Sequence, residues 1–231
     1  MKERILSRFE NRKPIEEKIS IIHNWADDKF FHVIPKNENP FVEKHALKDK
    51  FVLLYSGNLA LFNGFDTILE STKKINDSGA QYLIIGNGGK RREIEDFANA
   101  NPSSKIKMMD YQPFSDLPNS LSSGDVLFVT VKEGVNGINM PSKLYTIMAS
   151  GKPIIALGEP DSDVHIMVKN AQCGIFVEQG DLNGLVEAIN YFRANPDEAL
   201  QRGLNGRRYF EENYTLKIIS KQYFELLSGI N

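Results

Sequence analysis

The stretch "FVLLYSGNLALFNGFDTILE", residues 51–70, decides how the rest of the chain reads. Phe51 to Tyr55 form a continuous apolar run of a length that suits a strand covered on both faces. Gly57 and Asn58 end the run. Beyond Gly64, the residues Phe65, Ile68, Leu69, Thr72 and Ile75 recur at the spacing of one helix face, with Asp66 near the start. Strand, glycine-bearing turn and amphipathic helix together make the repeating unit of a parallel sheet.

Five further runs repeat the pattern: "YLIIGNG" (82–88), "IKMMDYQ" (106–112), "DVLFVTV" (125–131), "KPIIAL" (152–157) and "CGIFVEQG" (173–180). Helical patterns stand between them, as in "KRREIEDFANAN" (90–101) and "GDLNGLVEAINYFRA" (180–194), where Asp181 is placed to cap. The alternation predicts a Rossmann-like three-layer α/β/α domain with a mostly parallel, about six-stranded, doubly wound sheet. Residues 51–194 hold this domain. Residues 1–50 read as a linking segment that leads into the sheet. Residues 195–231 read as two helices, "PDEALQRGLNGRRYFEENY" and "LKIISKQYFELLSGI", packing on the domain and reaching beyond it.

Bulk properties narrow the function classes. The chain has 231 residues, 41% of them hydrophobic, with 28 basic against 30 acidic residues and a formal net charge of -2. Without a basic excess, a nucleic-acid partner held by bulk electrostatics is not expected. One cysteine, Cys173, rules out an internal disulfide and fits a reducing compartment. No apolar run reaches the ~18 residues of a spanning helix, and the charged N-terminus lacks a signal-peptide core. The expected location is the cytoplasm, with peripheral contact at the inner face of a membrane left open. No P-loop, G-x-S-x-G elbow or H-E-x-x-H occurs, and the four histidines show no metal-ligand spacing.

In an open α/β sheet a ligand binds beyond the carboxyl ends of the strands, so the turns there supply the candidates. Gly57 and Asn58 leave the first strand. Gly86, Gly88 and Gly89 leave the second, where a Gly-x-Gly-Gly lets backbone approach a ligand and equally suits a tight turn. Tyr111 and Gln112, in "DYQP", can face a nucleobase edge or form a plain loop. The loop "KEGVNGINMPSKLY" carries Glu133 and ends on Pro141, Ser142 and Lys143, the start of a helix. Ser142 is expected as N-cap, with Lys143 adding a full charge where backbone N–H groups point outward, an arrangement suited to phosphate without a metal.

These blocks, together with "KISIIHNWAD" (18–27) and "MPSKLYTIMASGKPIIA" (140–156), resemble in order and content the C-terminal, donor-binding half of retaining GT-B glycosyltransferases of family four. The bacterial branch that builds O-antigen, capsule or colanic-acid-like polysaccharide is the most similar. The resemblance implies a nucleotide-diphosphate-sugar donor, most often a UDP-sugar, bound without a metal or other cofactor. It implies a saccharide or lipid-linked acceptor presented by an N-terminal half that this chain lacks, so the chain alone is expected to transfer nothing. It puts Tyr111 and Gln112 at the base, Gly88, Gly89, Ser142 and Lys143 at the ribose and diphosphate, and makes Glu133 and Lys143 the catalytic candidates. The pattern departs at Asn58 and Asn63, where basic residues are usual, and at Thr146, where a glutamate is usual. A non-catalytic nucleotide-sugar binding module is the alternative reading. An epimerase-like enzyme, with Glu133, Glu159 and Asp161 as its acids, ranks behind it.

Overall fold

Every one of the six apolar runs becomes a strand. The computed structural model describes residues 2–61, 63–75, 79–132, 134, 137 and 140–229. The strands are β1 (Phe51–Ser56), β2 (Ala80–Ile85), β3 (Ile106–Met109), β4 (Val126–Thr130), β5 (Ile154–Gly158) and β6 (Gly174–Glu178). They form one sheet in the order β3-β2-β1-β4-β5-β6, and all pairs are parallel. Chain direction across the sheet reverses between β1 and β4, which is where a doubly wound sheet opens a crevice at its carboxyl edge.

The absence of polar alternation in the strands has a direct cause. Along β1, Val52 and Leu54 enter one apolar cluster and Leu53 and Tyr55 the other, on the opposite face of the sheet. Helices cover both faces, so neither face admits polar side chains. The helices are α1 (Lys2–Leu6), α2 (Lys13–Glu16), α3 (Pro40–Lys44), α4 (Asp66–Lys74), α5 (Arg91–Ala100), α6 (Leu117–Ser122), α7 (Lys143–Ala149), α8 (Asp163–Ala171), α9 (Leu182–Ala194), α10 (Pro196–Asn213) and α11 (Leu216–Ser228). Leu144 and Met148 of α7 and Phe210 of α10 pack with the first cluster, and Ile68 of α4 with Leu185 and Ile189 of α9 pack with the second. Asp181 caps α9 by accepting from Gly184 N–H at 2.9 Å. Cys173 is buried as a small apolar residue, and burial pushes its thiol up to about 12.

The two ends of the chain join the sheet's core. Phe31, Phe41, Val42 and Leu47 pack with the first cluster, as do Tyr214 and Ile219. Arg207 of α10 donates to the carbonyls of Phe31 and Ala149, and Ala26 pairs with Thr215 in an isolated parallel bridge. At the amino edge of the sheet, Lys36 Nζ donates to Asp125 Oδ2 and to Lys50 O, both at 2.5 Å, while Val52 N–H donates to the same carboxylate at 2.7 Å. No helix among the described residues is long and apolar enough to cross a membrane.

Candidate functional site

A cleft of about 820 Å³ opens at the carboxyl edge, over the β1/β4 reversal. Ser56, Gly57 and Asn58 enter it from the end of β1, Thr130 from the end of β4, Tyr111, Gln112 and Phe114 from the loop after β3, and Pro141, Ser142, Lys143 and Thr146 from α7 and its approach. Nine of the residues singled out in the sequence thus meet at one place: Gly57, Asn58, Asn63, Tyr111, Gln112, Pro141, Ser142, Lys143 and Thr146. Glu133 lies outside the described residues. Glu159 and Asp161 are not among the side chains that line the cleft.

Gly86, Gly88 and Gly89 stand behind that wall rather than on it. A Cβ on Gly86, at φ +146°, would collide with the Gly57 carbonyl, and one on Gly88, at φ +148°, would lie 2.6 Å from both Leu59 O and Asn58 Oδ1. The two loops are laced together by main chain: Gly57 N–H donates to Ile85 O, Leu59 N–H to Asn87 O and Lys90 N–H to Leu59 O, each at 2.9 Å. These glycines let the second loop back the first.

Of the asparagines at the two positions where the family pattern is basic, Asn63 does structural work through its side chain and Asn58 through its carbonyl. Asn63 is buried, and its Nδ2 donates to Tyr55 Oη and to Asn58 O, both at 2.7 Å. Tyr55 Oη in turn donates to Asn58 O at 2.8 Å. Thr130 Oγ1 donates to Gly64 O at 2.7 Å, closing the far end of the same loop. Asn63 therefore fixes the shape of the cleft wall and offers no free donor to a ligand.

Two expectations about the start of α7 need correction. Ser142 is not a side-chain cap: its backbone is helical (φ -60°, ψ -26°) and its hydroxyl makes no capping bond. Leu144 N–H already reaches Pro141 O at 3.1 Å, so the turn begins earlier than the Ser-Lys pair suggests. Nor does the Lys143 amine extend into solvent from the helix start. Its Nζ is buried, makes no hydrogen bond among the described residues and lies 3.5 Å above the centre of the Tyr55 ring. Burial lowers the amine to about 7.

Asn24, Trp25 and Phe114, which are not among the sequence candidates, also line the cleft. Trp25 is 46% exposed and Phe114 70%, and Phe114 stacks on Phe30 with ring centres 4.5 Å apart. The available signal for Asn24 and Trp25 is the aromatic density of "NWADDKFF", residues 24–31. Tyr111 donates through its hydroxyl to Asn87 O at 3.2 Å, and Gln112 Nε2 to Asp110 O at 2.8 Å. Thr146 donates to Lys143 O at 2.9 Å. Among the described residues no group of three or more His, Cys, Asp or Glu side chains is placed to hold a metal.

A parallel sheet in this strand order, with its cleft at the reversal, defines the class of doubly wound domains that hold a ligand at the carboxyl edge. The chain belongs to the glycosyl transferases group 1 family, whose pattern matches residues 36–209. It is 28% identical over 153 residues to a probable glycosyltransferase, WbjE, of Pseudomonas aeruginosa, covering 66% of this chain and 38% of that protein. It is 24% identical over 232 residues to a putative colanic acid biosynthesis glycosyl transferase, WcaI, of Escherichia coli K12, covering 97% of this chain and 56% of that protein. The fold is shared with Anabaena Alr3699/HepE, solved with UDP and glucose (TM-score 0.80, 15% identity, 93% of this chain and 58% of that one). It is also shared with a sucrose-phosphate synthase of Thermosynechococcus elongatus (TM-score 0.77, 21% identity, 98% and 55%). The chain spans little more than half the length of such relatives, or less.

Proposed function

We propose that this chain is the donor-binding half of a retaining glycosyltransferase that adds a sugar to a bacterial surface polysaccharide, with a nucleotide-diphosphate sugar, chiefly a UDP-sugar, as donor. The observation that carries the reading is the cleft itself: among its described lining residues Lys143 alone is of a charged type, and it stands at the reversal point of a family-matched sheet. Gly57 brings main chain to the floor, Tyr111 and Gln112 border the end suited to a base, and Lys143 answers the diphosphate. In transfer, charge develops on the departing diphosphate, and a cation in a water-poor cleft stabilises it more than water would. That role needs no metal. The relatives solved with UDP and glucose and named for colanic acid biosynthesis support the donor and polymer class. The acceptor and the other half of the cleft belong to a preceding domain in this reading.

The test is calorimetric titration of the chain with UDP, GDP, ADP and their sugar conjugates, with and without a chelator. Saturable binding of a uridine nucleotide, unchanged by chelator, is the expected result. Binding of none of them would remove the donor site, and a strict need for magnesium would remove the metal-free mechanism.

A further inference from the structure

Among the described residues Lys143 is an amine with no answering charge. Its Nζ is buried and unbonded, and a Cβ placed on Gly57 would stand 3.0 Å from it, so main chain closes over one side and the Tyr55 ring over another. The ring is fixed in turn, because its hydroxyl is held by Asn58 O and Asn63 Nδ2. The only other titratable group among the described lining residues is Tyr111, from the loop after β3; beneath the amine lies the Tyr55 ring of β1. Burial pushes the Tyr55 phenol far up. No carboxylate borders the cleft among those residues.

We propose that Lys143 rests uncharged on the Tyr55 ring in the empty cleft and takes up a proton as the diphosphate of a nucleotide sugar binds, so that donor affinity falls as pH rises through neutrality. This rests on the donor-site reading above. An ammonium over a ring face recovers only part of the hydration it loses. With the amine held near 7 by burial alone, its charged and neutral forms are close in free energy when the cleft is empty. A diphosphate carries two negative charges and supplies the missing partner, moving the amine back toward its ordinary value. The sign follows from linkage. Well below neutrality the amine is charged with or without ligand, and affinity is flat and highest. Above about 7 the free amine is neutral, the bound one is charged, and each pH unit weakens binding by up to about tenfold.

UDP-glucose is the probe, because its diphosphate is esterified at both ends, whereas the terminal phosphate of UDP titrates at ~6 and would blur the count. Calorimetry at pH 8 in buffers of differing ionisation enthalpy is expected to show close to one proton taken up per nucleotide, with Kd rising about tenfold between pH 7.5 and 8.5. Lys143→Arg, which stays charged, and Lys143→Met, which cannot charge, both lose the uptake and the pH dependence. Independently of ligand and of variant folding, the Lys143 side-chain resonances of the empty protein should titrate near neutrality. A midpoint above ~10, or UDP-glucose binding with no proton exchange, overturns the inference and leaves the donor site standing. Failure of UDP-glucose to bind at any pH overturns the donor-site reading and this inference with it.

Discussion

The two edges of the sheet treat their lysines in opposite ways. At the amino edge Asp125 accepts from Lys36 and from the Val52 N–H, and its charge raises the nearby Lys152 amine, which burial and Lys36 still lower to about 8. At the carboxyl edge Lys143 has similar burial and, among the described residues, no carboxylate beside it. An edge that only has to hold the fold closes its charges internally. On the proposal above, the edge that receives an anion leaves one amine for the ligand to complete, and the empty protein is less stable for it.

The comparison can be broken most severely at the amino edge. Asp125→Ala removes the counter-charge of Lys36 and leaves the Val52 N–H without its acceptor, and should cost ~2–4 kcal/mol, since the ion pair is only partly exposed and a backbone donor is orphaned. Urea unfolding at neutral pH measures it, and a loss below ~1 kcal/mol would reduce Asp125 to an ordinary surface ion pair.

At the carboxyl edge the sign reverses. Lys143→Met should stabilise the empty protein by a few kcal/mol below pH 7, where the native chain must bury the charged amine. Because the folded amine titrates near 7 and the unfolded one at ~10.4, the unfolded chain binds the extra proton between those values. Stability of the natural protein therefore rises across that window, and the advantage of methionine fades toward pH 10. A difference in unfolding free energy between the two proteins that is constant from pH 6 to 10 would show that Lys143 is already charged and accommodated.

The smallest effect belongs to the wall between them. Asn63→Ala removes the two hydrogen bonds donated by a buried side chain and should cost ~1–2 kcal/mol, with weaker nucleotide binding as the loop from Gly57 loosens. Stability lost with affinity retained would mean that the wall keeps its shape through Thr130 and the main chain alone.

Strands and most helices were legible because each is written in a short window: apolar runs of four to six residues, and Asp181 three residues before the N–H it caps. The cleft was half legible. Gly57, Asn58, Tyr111, Gln112 and Lys143 could be named because they follow strands, and in a parallel sheet all strand ends meet at one edge. What the sequence hides is the other half of each contact. Tyr55 and Lys143 are 88 positions apart, and nothing local in "PSKLY" says that its amine lies on an aromatic face. Trp25 and Phe114 reach the cleft from segments with no periodic pattern. The Ser142 cap failed because the turn starts at Pro141, a one-residue offset of the sort that helix boundaries commonly carry.

The lacing of the two loops beneath the cleft has a consequence for how such a site changes over generations. Its floor is a fabric of peptide groups, Gly57 to Ile85, Leu59 to Asn87 and Lys90 to Leu59, and peptide groups are the same whatever side chains they carry. Drift in the surrounding residues leaves the weave untouched. What the weave forbids is a methyl group at positions 86 and 88, where main chain or an asparagine oxygen already fills the space. A substitution at the rim, at Tyr111, Gln112 or Phe114, meets no such obstacle in the floor and would alter what is admitted without disturbing what admits it.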